Sequence, residues 1–199
     1  MSKTVLTGIK PTGTPHIGNY LGAIRPALDL SDSHDALYFI ADYHALTTVK
    51  DAALLRHQTY QVAATWLALG LDPEKTLFYR QSDIPEIYEL QWILSCFASK
   101  GLLNRAHAYK GFVDENVKHQ RDTDHGINMG LFTYPILMAA DILIFDTHLV
   151  PVGQDQKQHV EIARDIAEQI NALHPELLTL PEPLIPENVK SVPVRMGRK

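Results

Sequence analysis

Short apolar segments alternate with longer segments of helical periodicity, and this alternation restricts the fold more than any other feature of the chain. Thr4–Ile9 is a β-branched run that ends at a turn, Ala36–Ala41 is continuously apolar, and Thr76–Arg80 is a third short candidate strand. A continuous apolar run is typical of a strand that is buried on both faces. The pattern therefore predicts an α/β fold, a Rossmann-like parallel sheet flanked by helices.

Between these strands, apolar residues recur at the spacing of amphipathic helices. The predicted helices begin near Ile17 and otherwise cover about Ala52 to Leu69, Glu86 to Ser99 and Asp155 to Leu173. Leu131 to Phe145 is a strongly apolar block that predicts a core helix, and Leu149–Val152 predicts a short strand. Residues 110–126 are polar without a clear period, which predicts a mobile loop.

Composition excludes several classes of protein. The formal net charge of −5 gives no global attraction to nucleic acid, so a contact with nucleic acid would need a local basic patch or another part of the protein. Cys96 is the only cysteine, which excludes an internal disulfide and a Cys-rich zinc site. On the helical stripe of Leu90, Ile93 and Phe97, Cys96 is expected to be packed in the core.

No segment of the sequence suggests export or membrane insertion. The first ten residues lack the apolar run of a signal peptide, and no stretch approaches the ~20 apolar residues of a membrane span. A single cysteine is also compatible with a reducing compartment. These observations predict a cytoplasmic protein without a membrane partner.

The strongest local motif is Pro15-His16-Ile17-Gly18-Asn19, which directly follows the first strand and its turn. A helix that begins at the end of a strand offers unpaired backbone N–H groups and a favourable dipole to an anion. Gly18 would let a flat ring approach the backbone, and the side chains of His16 and Asn19 can donate to phosphate oxygens. The alternative is a plain helix start in which Pro15 and Gly18 serve as turn residues, and the motif alone does not exclude it.

Further blocks extend this motif in a fixed order along the chain. They are Gly8–Gly13, His16–Ala23, Ala41–Thr47, and the long stretch formed by Thr133–Leu143 and Val150–His159. His16–Asn19 resembles the HIGH motif of class I aminoacyl-tRNA synthetases, and the blocks together resemble tryptophanyl-tRNA synthetases of the bacterial type. The resemblance covers nearly the whole chain. It implies a ligase that activates L-tryptophan with ATP and transfers it to tRNA(Trp).

The resemblance also implies how the chain is organised. Residues 1–174 would form the catalytic domain, and residues 175–199, with five prolines, would be an extended connecting segment. Family members continue through a KMSKS loop into a helical anticodon-binding domain, and Gly197-Arg198-Lys199 is similar to the approach to that loop. The 199-residue chain by itself is therefore expected to bind tryptophan, to bind ATP poorly and to be poorly active. Family members are homodimers, so a homodimer is expected here as well.

Residues of the first and last blocks are implied to bind ATP: Lys10, Thr12, Gly18, Asn19, Gly153 and Asp155. His16 and Asn19 are the implied catalytic residues, through contacts with the phosphates. Asp155 would accept a ribose hydroxyl, although it could equally be a helix N-cap. Lys10 departs from the polar uncharged residue of many relatives. The sequence shows no dedicated metal cage, so Mg²⁺ is expected to arrive with the nucleotide.

Tryptophan needs an apolar slot with one acceptor, because its indole N–H is a donor only. Asp141 lies three residues after Met138 on an apolar helix, so both side chains face roughly the same way, and a carboxylate there must meet a donor. The resemblance implies that tryptophan is bound by Leu6, His44, Tyr134, Met138, Asp141, Val150, Val152 and Gln156.

Several of these residues have a structural alternative. Asp141 could be a satisfied core carboxylate, His44 a structural histidine, and the two valines plain core residues. Leu6 stands where some relatives carry an aromatic residue, so that wall of the pocket is expected to be softer.

Three other functions are compatible with parts of the pattern. A tyrosyl-tRNA synthetase shares the fold, but its pocket must pair a phenol hydroxyl, and Met138 with Asp141 fits indole better. A small nucleotidylyltransferase would explain His16–Asn19 but not the later blocks. A truncated, non-catalytic paralogue could keep the fold and bind tryptophan or a partner.

Overall fold

The structure of the protein is a computed structural model, which describes residues 2–154 and 156–185. In chain order its elements are β1 (Thr4–Ile9), α1 (Ile17–Asn19), a π-helix (Tyr20–Ile24), α2 (Arg25–Ser31), β2 (Asp35–Ile40), α3 (Asp42–Ala45), α4 (Ala52–Ala68), β3 (Leu77–Arg80), a 3₁₀ turn (Gln81–Asp83), α5 (Glu86–Phe97), α6 (Lys100–Asn104), α7 (His107–Lys118), α8 (Met129–Leu143), β4 (Leu149–Pro151), α9 (Lys157–Leu173) and β5 (Glu182–Leu184).

The five strands form one sheet in the order β3-β2-β1-β4-β5, and every neighbouring pair is parallel. The predicted Rossmann-like α/β fold is therefore confirmed. β1 is central: it pairs with β2 from Thr4 opposite Asp35 to Ile9 opposite Ile40, and with β4 on its other side. Because the strands are parallel, the segments that follow them all begin at the same edge of the sheet.

Hydrophobic residues cover both faces of the sheet, since successive strand residues point to opposite sides. On one face, Leu6 and Phe39 pack in a cluster with the buried residues of α5, α8 and α9. On the other face, Val5 and Tyr38 pack with Trp66 of α4. This arrangement buries α8 deeply, which confirms the core helix expected for the block around Leu131–Phe145.

Two structural expectations were wrong. The helix α7 spans residues 107–118, so residues 110–118 of the region 110–126 that was expected to be a mobile loop are helical. Asn116 is the only buried side chain of α7 among those the structure describes. The sequence of α7 therefore lacks the apolar period that would have predicted a helix. Cys96 is exposed rather than packed in the core, because α5 buries Ile87 and Leu94, and Cys96 lies two residues beyond Leu94 on the opposite side.

The segment expected to connect two domains contains a strand. Glu182–Leu184 is extended, as expected, but it pairs with β4 and so belongs to the sheet. The approach to the KMSKS-like loop at Gly197-Arg198-Lys199 lies outside the described residues. Within the part of the chain that the structure describes, no helix has the length and apolar character needed to cross a membrane.

Candidate functional site

Polar side chains gather at the edge of the sheet where the strands end. His16 follows β1, His44 follows β2, Gln81 follows β3 and Gln156 follows β4. The first helix after β1 leads to β2, whereas β4 lies on the other side of β1, so the strand order reverses between β1 and β4. In open α/β sheets, ligands bind outside the carboxyl ends of the strands at such a reversal.

The helix that begins at Ile17 is capped by the residues of its own motif. The Gly18 N–H donates to His16 Nδ1 at 3.1 Å, and the His16 N–H donates to Asn19 Oδ1 at 2.9 Å. These reciprocal bonds form a capping box and satisfy backbone donors that the helix cannot pair itself. His16 Nε2 and Asn19 Nδ2 take no part in the cap, so both nitrogens can turn toward a ligand.

Gly18 is required by this cap. A Cβ atom at position 18 would lie 2.9 Å from His16 Cε1 and 3.0 Å from His16 Nδ1. Besides the ligand approach that its place in the sequence predicts, this glycine makes room for the His16 ring.

The turn after β1 precedes the motif. Lys10 and Thr12 are exposed on it, and the Thr12 N–H donates to the Lys10 carbonyl at 3.0 Å. With its amide oriented to satisfy both neighbours, Gln58 of α4 donates to the Pro11 carbonyl at 3.0 Å and accepts from the Gly13 N–H at 3.3 Å. The turn is therefore fixed to α4 while its two candidate ATP residues stay accessible.

Asp141 is buried on α8, with 1 % of its surface exposed, and both its oxygens accept hydrogen bonds. Gln81 Nε2 lies 2.9 Å from Oδ1 and 3.0 Å from Oδ2. His44 Nε2 lies 2.9 Å from Oδ2. The carboxylate is thus partnered, as a buried charge must be. These three contacts use two donor groups, and a carboxylate has about four acceptor positions, so capacity for another donor is left.

The environment of Asp141 determines its protonation. Burial raises the pKa of the Asp141 carboxyl above its ordinary value, while the hydrogen bonds from His44 and Gln81 oppose that rise. Burial likewise raises the pKa of the Tyr79 and Tyr88 hydroxyls, with the Asp141 charge contributing in both cases.

Tyr134 and His159 extend this polar group. The Tyr134 hydroxyl lies 2.5 Å from Nε2 of His159, a histidine of α9 with 1 % of its surface exposed. The rings of His44 and Tyr134 meet edge to face, with centroids 6.2 Å apart. His44 therefore stands between Asp141 and Tyr134, so the structure brings together three residues that the sequence named separately.

The apolar candidates also come together. Leu6 of β1 and Val150 of β4 are buried in the same cluster, and Met138 and Val152 pack against that cluster while partly exposed. Val152 lies just after β4 rather than within it. The partly exposed side chains of Met138 and Val152 can contact a ligand. Leu6 and Val150, with 2 % and 3 % of their surface exposed, form a buried apolar layer.

Gly153 and Gln156 form the turn between β4 and α9. Gly153 is exposed, and the Gln156 N–H donates to its carbonyl at 3.0 Å. Gln156 is the N-cap residue of α9. The expected role of Asp155 falls outside the described residues.

Four residues of this region were missed by the sequence argument: Asp42, Gln81, Ser82 and His159. Gln81 and Ser82 directly follow β3, so the rule that ligands lie at the carboxyl ends of strands could have indicated them. His159 is buried on α9 together with apolar residues, and its sequence neighbours give no signal that would distinguish it.

The fold and these residues define a class of protein: an open parallel α/β domain with a ligand crevice where the strand order reverses. The family model of class I tRNA synthetases (W and Y) matches residues 2–197. The chain belongs to that family.

Relatives in the family carry a more specific name. The tryptophan–tRNA ligase of Pseudomonas aeruginosa is 57% identical over 204 residues, covering 100% of this chain and 46% of the relative. That of Xanthomonas axonopodis pv. citri is 56% identical over 202 residues, covering 100% of this chain and 47% of the relative. The chain thus spans about half the length of the curated relatives it matches.

Solved structures agree with the fold. The tryptophanyl-tRNA synthetase of Campylobacter jejuni, complexed with ADP and tryptophan, has a TM-score of 0.82 and 49% identity, over 94% of this chain and 56% of that one. The tyrosyl-tRNA synthetase of Aeropyrum pernix has a TM-score of 0.71 at 22% identity, over 92% of this chain and 53% of that one. At that identity the second likeness concerns the fold alone.

Proposed function

We propose that the chain is the part of a cytoplasmic tryptophan–tRNA ligase that binds tryptophan and ATP, the whole protein transferring tryptophan to tRNA(Trp). The observation that carries this proposal is the buried Asp141 acceptor on α8, three residues after the partly exposed Met138. The names of the relatives support the same choice.

In this proposal the indole N–H donates to Asp141, and Met138 with Val152 contacts the ring over the layer formed by Leu6 and Val150. An N–H in a dry pocket gains a charge-assisted hydrogen bond, whereas an analogue that lacks it leaves the acceptor less satisfied. Tyr134 and Gln156 would bind the ammonium and carboxylate of the amino acid, and His44 would orient Asp141.

ATP would lie across the reversal point, between the turn after β1 and the turn after β4. His16 Nε2 and Asn19 Nδ2 would donate to phosphate oxygens, and Lys10, Thr12 and the Gly18 backbone would contact the nucleotide nearby. Gly153 and Asp155 would bind the ribose. In the described residues no three His, Cys, Asp or Glu side chains converge to hold a metal ion. Mg²⁺ is therefore proposed to come with the nucleotide.

The reaction would run in two steps. A tryptophan carboxylate oxygen attacks the α-phosphorus of ATP, the bond to the β-phosphate oxygen breaks, and pyrophosphate leaves with that electron pair. The tRNA terminal hydroxyl then attacks the carbonyl of tryptophanyl-adenylate and releases AMP. The chain would contribute by positioning both substrates and by stabilising phosphate charge.

Ligand binding tests this proposal against the tyrosyl alternative. Calorimetry with the 199-residue chain should show tryptophan binding that excess tyrosine does not displace. Tryptophan-dependent exchange of pyrophosphate into ATP, in a protein extended to the relatives' length, tests the reaction itself. Preferential tyrosine binding, or tryptophan binding without any exchange in the extended protein, would contradict the proposed reaction.

We also propose that the protein is a homodimer. On α5, Trp92 is 72% exposed and Ile93 51% exposed, and Met129 at the start of α8 is 70% exposed. Exposed large apolar side chains are typical of a surface that a partner covers. Sedimentation should show a dimer that Trp92→Asp dissociates, while Leu177→Asp, at an exposed leucine after α9, leaves it intact.

A further inference from the structure

Gln81, in the turn after β3, is completely buried, and its side chain bridges two elements of the site. Its Oε1 lies 3.2 Å from the Tyr43 backbone N and 3.4 Å from the His44 backbone N, in the first turn of α3. Its Nε2 lies 2.9 and 3.0 Å from the two oxygens of Asp141. One amide therefore connects α3, the turn after β3 and α8.

The orientation of the Gln81 amide is fixed by these partners. Backbone N–H groups can only donate, so Oε1 must face Tyr43 and His44. Nε2 must then face Asp141, because the opposite orientation would set an amide oxygen against a carboxylate and an NH₂ group against two donors. The Gln81 amide therefore cannot flip by 180°, and its Nε2 group always donates to Asp141.

A second set of bonds makes this arrangement reciprocal. Asp42 of α3 accepts from the Ser82 N–H at 3.0 Å and from the Ser82 hydroxyl at 2.5 Å. The turn thus binds the backbone of α3 through Gln81, and α3 binds the backbone of the turn through Asp42. His44 and Gln81, the two donors to Asp141, are held to each other and reach the carboxylate as one unit.

We propose that Gln81 is a positioning residue for indole recognition, which holds the Asp141 carboxylate as an oriented acceptor for the substrate N–H. This inference rests on the proposed function. Gln81 itself is not placed in contact with tryptophan and acts through Asp141. Its effect should therefore appear only with ligands that carry the N–H.

The charges around Asp141 make the donor from Gln81 necessary. Asp42 of α3 faces it with a like charge, and the hydroxyls of Tyr79 of β3 and Tyr88 of α5 lie within electrostatic range. Burial raises the pKa of Asp141, and the hydrogen bonds of His44 and Gln81 lower it. Without Gln81, the carboxyl would be protonated more readily and would keep His44 as its one remaining donor among the described residues.

The test measures the affinity of the 199-residue chain for tryptophan and for 3-(3-benzothienyl)alanine, in which sulfur replaces the N–H. Gln81→Leu should weaken tryptophan binding at least about tenfold, the loss of roughly one hydrogen bond to a charged group, and change the analogue by less than about threefold. Ser82→Ala is the matched control: it loosens the same turn but leaves both donors of Asp141, so the two ligands should change by one common factor.

The variant Gln81→Glu distinguishes the hydrogen bond that Gln81 donates to Asp141 from the bonds by which Gln81 holds the backbone of α3. Its carboxyl keeps an acceptor for Tyr43 and His44, and when protonated it can donate to Asp141 as the amide does. Tryptophan affinity of this variant should exceed that of Gln81→Leu near pH 6 and fall, relative to the wild type measured at each pH, as the pH rises.

Equal loss of both ligands in Gln81→Leu, or a Gln81→Glu variant that binds tryptophan no better than Gln81→Leu at any pH, would overturn the positioning role. A wild-type chain that does not bind tryptophan would instead overturn the proposed function, and the role of Gln81 with it.

Discussion

The region around His16 and the region around Asp141 are held in opposite ways. His16 and Asn19 bond to groups within three residues of themselves, and His16 is exposed. Asp141 is buried, and its partners Gln81 and His44 lie 60 and 97 residues away in the chain. The first region is built by local backbone geometry, whereas the second exists only when three separate elements are packed.

This difference matches what each proposed substrate requires. A triphosphate carries charge that must remain partly solvated and neutralised by mobile partners, so an exposed helix start suits it. Indole is rigid and apolar with one donor, so a dry pocket with a fixed acceptor suits it. Substitutions in the buried region should therefore alter tryptophan binding, and substitutions at the helix start should alter the reaction of ATP.

The largest effect is expected for Asp141→Ala. Loss of a charge-assisted bond in a dry pocket should cost about 2–4 kcal/mol of tryptophan binding, roughly thirtyfold to a thousandfold, with ATP binding little changed. Calorimetry on a protein extended to the relatives' length measures both affinities, and Asp165→Ala, at an exposed carboxylate of α9, is the control. An unchanged tryptophan affinity would remove Asp141 from the pocket.

In a protein extended to the relatives' length, His16→Ala should lower pyrophosphate exchange at least roughly tenfold, because a donor to the phosphates is lost. A helix cap is worth about 1 kcal/mol, so the melting temperature should fall only by about 2–4 °C. His57→Ala, at an exposed histidine of α4, should leave both quantities near wild type. A large loss of thermal stability with normal exchange would show that His16 serves the fold alone.

Gly18→Ala should have a smaller effect of the same kind. The added Cβ would lie 2.9 Å from the His16 ring, so the ring must shift while its donor remains. Pyrophosphate exchange should fall about threefold to tenfold, with tryptophan affinity unchanged. At Gly22 an added Cβ meets no atom within 4 Å, so Gly22→Ala is the control. If pyrophosphate exchange is the same in Gly18→Ala and Gly22→Ala, the geometry of the cap does not matter to the reaction.

The smallest expected effect is on how the free energy of unfolding depends on pH. The pKa of Asp141 is raised above 3.8 in the folded state, so above that pH the folded chain holds more protons than the unfolded chain. The free energy of unfolding of the wild type should therefore fall relative to Asp141→Asn as the pH rises from about 4. Urea denaturation at several pH values measures the difference, and a difference that grows in favour of the wild type would contradict the sign.

Sequence patterns were reliable where structure depends on neighbours in the chain. The apolar runs predicted β1, β2 and β3, because a strand buried on both faces needs apolar residues throughout. They failed for α7, since a helix with one buried side chain, Asn116, has almost no apolar stripe. They also wrongly predicted that Cys96 is in the core, because the apolar periodicity of α5 does not show which side of the helix is buried.

By itself, the sequence determined the parallel α/β fold, the helix start at His16–Asn19 and the identity of the residues available for a pocket. It could not decide whether Asp141 was a ligand or a satisfied core carboxylate, and the structure shows why. The partners of Asp141 come from the ends of β2 and β3, and hydrogen bonds between residues 60 and 97 positions apart leave no periodicity in the chain. Only the packing of those strands beneath α8 brings Gln81 and His44 to the carboxylate.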